Sequence, residues 1–197
     1  MDDRKAKESL HRHLREAREA ILWKLDGSSE YDGRRPITPH GTNLLGLVKH
    51  LATCEIGYFG ATFDRPFPDP PAWLTSTERD VDMWAHPDET RADIVALYRR
   101  ATSHADETIE EFTLDHPVTI PGWRPDRCHE TLHGVLVHMI AETNRHAGHA
   151  DVVRELIDGT AGRLPSDGEV DAGADYWQRL VARIDTAARV AAEHRGV

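Results

Sequence analysis

Glu142 stands four residues after His138 and four before His146 in LVHMIAETNRHAGHADVVREL, and His149 follows within one further turn. At 100° per residue these four side chains fall within a helical sector of roughly 80°, shared with Val135, Met139, Val153, Leu156 and Ile157. Asn144, Asp151, Glu155 and Asp158 fall on the opposite side, so the polar face is fully supplied and the ionisable cluster lies on the face expected to be buried. An unpaired carboxylate there is costly and either neutralises or finds a cation. Imidazole and carboxylate together suit a divalent transition-metal ion, and metal coordination is the economical reading.

Glu142 and His146, one turn apart, can reach one ion together, and a third ligand must come from another helix. His50 is the candidate. It lies at the edge of an apolar stripe with Gly46, Gly57 and Ala61 on its side, small residues that leave space around it. The alternative is an ordinary interior imidazole satisfied by a neighbour. His138 and His149 are each either a fourth ligand or a group that orients a bound imidazole or handles protons, and the latter role is assigned to His149. Cys54, one turn after His50, reads as a buried inert thiol, and Trp123 is placed in a crossover where it could line a pocket. A literal H-E-x-x-H occurs at His129, Glu130 and His133, the zinc-peptidase pattern. On the same helix, however, His129 and His133 project roughly 140° and 180° away from Glu142, as a solvated helix start would.

Four long stretches with helical periodicity must position these residues. The first runs from about Lys5 to Leu25 and stops at Asp26-Gly27. The second, capped by Thr42 or Asn43, runs to about Thr62 through Leu44, Leu47, Leu51, Glu55 and Tyr58, and DRPFPDPPAW follows it. Residues 73–89 are a short helical or irregular excursion, and Asp88 signals the start of a third helix reaching Ile109. After the crossover LDHPVTIPGWRPDR, the fourth helix runs from about Glu130 to Ile157 and closes at Asp158-Gly159. GTAGRLPSDGEVDAG then leads to a terminal helix, about Tyr176 to Glu193. No segment alternates long enough to build a sheet. The expected fold class is all-α: a four-helix bundle with long crossover connections and an extra C-terminal helix, with its site between facing helices. A single domain over 1–197 is expected, its core at about 5–160 and its last helix at about 173–194.

The chain has 197 residues and a formal net charge of −10, with a pI near 5.7. That balance disfavours nucleic acid or an anionic membrane as the main partner. The start, MDDRKAKESLHRHL, lacks an apolar core and no later run matches a membrane span, so a soluble, cytoplasmic protein is expected. Cys54 and Cys128 are far apart without C-x-x-C spacing, which indicates neither a disulfide scaffold nor a thiolate zinc site. A homodimer is the expected assembly, two-fold pairs being the commonest.

GTNLLGLVKHLATCEIGYFG with FDRPFPDPP, together with VLVHMIAETNRHAGHADVVRELIDG, resembles the DinB-like superfamily of bacterial metal-binding four-helix bundles. More narrowly, the chain resembles the actinobacterial branch that includes mycothiol-dependent maleylpyruvate isomerase and related thiol S-transferases. The resemblance covers about Leu10 to Gly159 and implies a metal triad of His50, Glu142 and His146. Many members have His where this chain has Glu142, whereas the mycothiol-dependent isomerase branch has Glu. The usual H-R-G-Q continuation becomes His146-Ala147-Gly148-His149 here. Relatives of the isomerase carry an additional C-terminal domain, where this chain offers one further helix after Gly159. Isomerisation of maleylpyruvate itself therefore does not follow; a thiol S-transferase or isomerase reaction does.

Two imidazoles and a carboxylate leave open positions on zinc, or else nickel, as catalytic sites do. A low-molecular-weight thiol such as mycothiol would bind there, because the ion stabilises the thiolate, which is the nucleophile towards an electrophilic substrate. His149 or His138 would shuttle the thiol proton. The loops DRPFPDPP and TIPGWRPDR would shape the entrance, with Trp123 in the second. Arg145, roughly 60° from Glu142 on the wheel, either meets an acidic group of thiol or substrate or makes an ordinary flank salt bridge. Two rivals use the same residues. Non-haem iron oxygenases share the ligand set, but nothing marks a 2-oxoacid site, and a non-catalytic metal-binding bundle acting in stress or storage needs no chemistry at all.

Overall fold

The computed structural model describes residues 2–162, 164 and 173–195, and the chain divides into two compact units, Met1–Pro165 and Ser166–Val197. The first unit is an all-α bundle of α1 (Asp3–Trp23), the short α2 (Glu30–Arg34), α3 (Leu44–Phe59), α4 (Arg91–Glu111) and α5 (Leu132–Asp158). In the second, α6 (Gly173–Arg195) carries Trp177, Val181, Ile184 and Val190 exposed along its length. The link expected over 159–173 lies largely outside the described residues. Among the described residues no helix is long and apolar enough to cross a membrane.

Side-chain caps set most boundaries. Asn43 Oδ1 accepts from the Gly46 amide at 2.7 Å and starts α3. Thr90 Oγ1 accepts from Asp93 at 3.0 Å, so α4 starts from Thr90 and not from Asp88 as the sequence suggested. These bonds satisfy amides that the first helical turn leaves without partners. Gly159, at φ 77°, closes α5 where expected, in a left-handed conformation that glycine adopts without strain. At the end of α3, a Cβ on Gly60 would come within 2.3 Å of the Ile56 carbonyl. The non-helical backbone there, φ −97° and ψ −90°, thus suits glycine; the helix ends at Phe59 and a 3-10 turn, Ala61–Phe63, follows.

The crossover before α5 corrects the sequence reading. Pro117–Thr119 (β1) pairs antiparallel with His129–Thr131 (β2), aligning Val118 with Glu130. A three-residue ribbon is too short to betray itself by alternation. It buries Val118 and Ile120 in the core beside Phe63 and Leu132, and α5 begins at Leu132 rather than Glu130.

Helix α3 packs against α4 and α5, and α1 against α5. Leu44, Leu47, Val48 and Leu51 of α3 meet Ile21, Ile94, Tyr98, Ala150 and Val153 at one end of the bundle. Leu14, Phe59, Ile109, Leu136 and Met139 fill the other. Each fully buried Leu or Ile contributes about 1.5–3 kcal/mol relative to exposure, so the bundle is held from both ends, and the metal-candidate residues sit between them. Glu55 interrupts the α3 stripe. It is fully buried and takes Arg18 through two bonds of 2.7 Å, Nε to Oε1 and Nη2 to Oε2. Arg18 also reaches Asp106, which accepts from or pairs with His11 Nε2 at 2.7 Å. Burial opposes the Arg18 charge, but Glu55 and Asp106 outweigh it and keep the guanidinium protonated.

Candidate metal centre

The buried face of α5 runs through Leu132, Val135, Leu136, Met139, Thr143, His146, Ala147, Ala150, Val153 and Arg154. On the wheel this face is centred about 80° from the middle of the His138–His146 sector. The ionisable cluster thus borders the core and does not lie within it. His146 is buried, His138 and Glu142 are half-buried, and His149 and Arg145 are exposed. Leu156, expected inward, is 64% exposed, while Val135 and Val153 are buried as expected and Arg154, on the opposite side from Leu156, is buried and donates from Nη1 to the carbonyls of Lys24 and Asp26 at 2.7 Å each. A cluster at a core's edge combines desolvation with access, which a site open to small molecules requires.

Three of the residues meet across α3 and α5. Glu142 Oε1 lies 2.9 Å from His146 Nε2 and 3.6 Å from His50 Nε2. The rings of His50 and His146 meet edge to face, their centroids 4.9 Å apart. His50 and Glu142 keep 23% and 26% of their side-chain surface exposed. Nitrogen and oxygen donors held about 2.0–2.2 Å from a four- to six-coordinate ion are about 3.0–3.5 Å from one another. The His50–Glu142 separation of 3.6 Å is close to that spacing, and the His146–Glu142 contact of 2.9 Å is a hydrogen bond. His146 Nδ1, the ring nitrogen not engaged with Glu142, is buried without a hydrogen-bond partner. Among the described residues, the donor atoms that all come within 4.8 Å of one another are those of His50, Cys54 and Glu142, a set that suits a divalent ion, and His146 stands beside it on Glu142.

Asp82 is the residue that the sequence reading missed. Its Oδ2 accepts from His50 Nδ1 at 2.8 Å, which leaves Nε2 facing Glu142. A carboxylate behind a ligating imidazole fixes the tautomer and raises the ligand's basicity. Asp82 belongs to an irregular segment pinned onto α3 by several groups. Lys49 Nζ, buried, donates to the carbonyls of Val81 and Trp84 at 2.9 and 3.0 Å and to Glu89 at 2.8 Å. Asn43 Nδ2 donates to Met83 O at 3.1 Å, and a Cβ on Gly46 would lie 1.9 Å from that same oxygen. Gly46 therefore does not leave space beside His50; it admits the Met83 backbone. Gly57 is open to solvent and Ala61 lies beyond the end of α3. The segment reaching the site is 79–89, whereas Phe67 of DRPFPDPP packs on Ile56 and Ala101.

The other predicted residues are placed as follows. His138 lies tilted against Tyr58, centroids 4.7 Å apart, and meets Trp123 edge-on at 5.0 Å. Trp123 Nε1 donates to Tyr58 Oη at 3.0 Å, which closes an aromatic wall one turn before Glu142. His149 lies edge-on to His146 at 5.4 Å. His129 and Glu130 lie in β2, off the α5 helix altogether, so the H-E-x-x-H does not present its residues as a zinc-peptidase helix would. Cys54, read as an inert thiol, has its sulfur 3.5 Å from His50 Nε2.

The electrostatics separate the two imidazoles. Burial works against the His50 imidazolium, but Asp82 and Cys54 overcome it and hold its pKa up to about 10. Burial and the neighbouring His50 charge push His146 down, despite Glu142, and leave its ring neutral at neutral pH. Burial pushes Glu142 up, but His146 and His50 hold it below the usual carboxylate range.

The family model for mycothiol S-transferase matches residues 9–159. The chain belongs to the mycothiol S-transferase family. The match spans α1 to α5 and contains every residue placed at the centre, and it ends before α6. No curated protein matches the chain closely enough for comparison. Within this family of mycothiol-related transferases, the cluster between α3 and α5 is the candidate site.

Proposed function

We propose that the chain is a divalent-metal-dependent thiol S-transferase in which His50, Glu142 and His146 hold the ion, zinc or else nickel, and a low-molecular-weight thiol, mycothiol in a host that makes it, is the nucleophile. The observation that carries this reading is the approach of His50 Nε2 and His146 Nε2 to one oxygen of Glu142, with Asp82 behind His50. When bound, the ion supplies stabilisation of the thiolate over the thiol.

The protein's own groups do the rest. His138, whose pKa burial lowers although Glu142 opposes it, is a neutral imidazole able to accept the thiol proton. His149 is the exposed alternative. Trp123 and Tyr58 wall the approach beside His138 and exclude water from one side. The sulfur lone pair forms the bond to the electrophilic carbon, the leaving group departs with its bonding pair, and the proton held by His138 returns to it or to solvent. Arg145, exposed on the same helix, meets an acidic group of the thiol or its partner.

The test is metal analysis of untagged protein by mass spectrometry, followed by conjugation assays of the metal-loaded protein over a panel of thiols and electrophiles. Near-stoichiometric metal that is lost in His50→Ala and Glu142→Ala, with thiol-dependent conjugation, is the expected result. Stoichiometric metal without conjugation overturns catalysis and leaves a metal-binding bundle.

A further inference from the structure

Cys54 follows His50 by one turn of α3 and faces the same space: its Sγ is 3.5 Å from His50 Nε2. The donor atoms of His50, Cys54 and Glu142 all lie within 4.8 Å of one another. We propose that Cys54 is a fourth protein ligand to the ion held by His50, Glu142 and His146, so that the resting centre carries a sulfur of the protein's own. The inference rests on the metal-dependent reading above.

Geometry is the first support. In a tetrahedral centre with a sulfur about 2.3 Å and a nitrogen about 2.0–2.1 Å from the ion, the two donors are about 3.5 Å apart. That is the separation found. The sulfur also approaches Nε2, the nitrogen that Asp82 leaves available, and not the Nδ1 already engaged. Cys128 provides a contrast, since its sulfur lies 3.5 Å from the Pro125 carbonyl in the crossover.

A second support comes from the facing helix: Glu142 of α5 brings its carboxylate to His50 Nε2 at 3.6 Å, so donors from two helices converge where Cys54 stands. Zinc and nickel accept mixed nitrogen, oxygen and sulfur donors, so Cys54 adds to the set without conflict. On coordination the sulfur gives its proton to solvent and its lone pair to the ion. An incoming small thiol then competes with a tethered sulfur, and Cys54 sets how strongly a thiol must bind to enter.

Cobalt(II) reports sulfur ligation through near-ultraviolet charge-transfer absorption. The decisive protein is Cys128→Ser, in which Cys54 is the one remaining cysteine. With one equivalent of cobalt and no added thiol, the charge-transfer band is expected, and Cys54→Ser is expected to lose it or to bind cobalt more weakly while keeping its helical circular dichroism. Cobalt bound by Cys128→Ser without the band overturns the proposal and spares the three-ligand reading. Failure of the wild type to take up cobalt, zinc or nickel overturns both.

Discussion

Asp82 Oδ2 and His50 Nδ1 are 2.8 Å apart, so a residue in an irregular loop selects which nitrogen of an α3 histidine faces Glu142. The His50 hydrogen bond holds Asp82 below the usual carboxylate range, although burial opposes this, and the acid stays ionised while orienting the ring. Such a partner commonly accounts for 10- to 100-fold in metal affinity.

Asp82→Asn keeps the side-chain size and removes the charge. Its metal affinity, measured by chelator competition, is expected to fall about 10- to 100-fold with helical circular dichroism unchanged. Gly46→Ala should weaken binding in the same direction from a distance, because its methyl would displace Met83 and the loop that carries Asp82. The two effects should combine less than additively, since they act through one loop. An affinity for Asp82→Asn within twofold of wild type would remove Asp82 from the centre.

Metal uptake should depend on pH through His50. Its pKa of about 10 leaves it protonated at pH 7, and an ion at Nε2 must displace that proton. His50 alone makes affinity rise about tenfold per pH unit between pH 7 and 9, with one proton released per ion, and ligation by Cys54 adds a second released proton. Competition titrations in that range check the slope. The metal-free protein behaves inversely. A folded pKa raised above the unfolded value of about 6.5 contributes stability that is full below 6.5 and is lost as pH rises through about 10. Urea midpoints of chelated protein should fall over that window.

The Arg18–Glu55 pair should dominate bundle stability. Arg18→Met leaves Glu55 buried and uncompensated and is expected to cost about 3–5 kcal/mol in denaturant unfolding. The same change should alter the acid limb. Burial pushes Asp106 up, but His11 and Arg18 together hold it below the usual range. Its contribution is thus present above the unfolded pKa of about 3.9 and is lost as pH falls through the lower folded value. Arg18→Met should shrink that acid-side loss. A penalty below about 1 kcal/mol would show that Glu55 is satisfied some other way.

His138 and His149 can be separated by mutation. If His138 handles the thiol proton, His138→Ala should lower kcat about 100-fold or more at full metal occupancy, whereas exposed His149→Ala changes it little. The reverse ranking would transfer the role to His149. Equal and minor effects would assign the proton to solvent.

Much of the centre was legible because helical periodicity is local. The four-residue steps of His138, Glu142 and His146 place them on one side of α5, and the apolar stripes of α3 and α5 are enough to expect facing helices. Periodicity gives an angle but not which arc is covered. Hence the cluster's position at the edge of the core, the exposure of His149 and Leu156, and the burial of Arg154 and Thr143 emerged only from packing. Gly46 illustrates the same limit: a small residue beside His50 signals close approach, and whether open space or the Met83 carbonyl fills it depends on the path of a loop.

The sequence by itself determined an all-α bundle, its helix stripes, the stop at Asp158-Gly159 and the ligand-type residues one turn apart, because each depends on neighbours within a few positions. Only the tertiary structure decided that Asp82 stands behind His50, that Cys54 faces it, and that Arg18 answers Glu55. These partners are 32, 4 and 37 positions apart. The Cys54 contact is local in sequence, yet whether that shared face meets Glu142 or a hydrocarbon wall is settled by how α5 docks on α3.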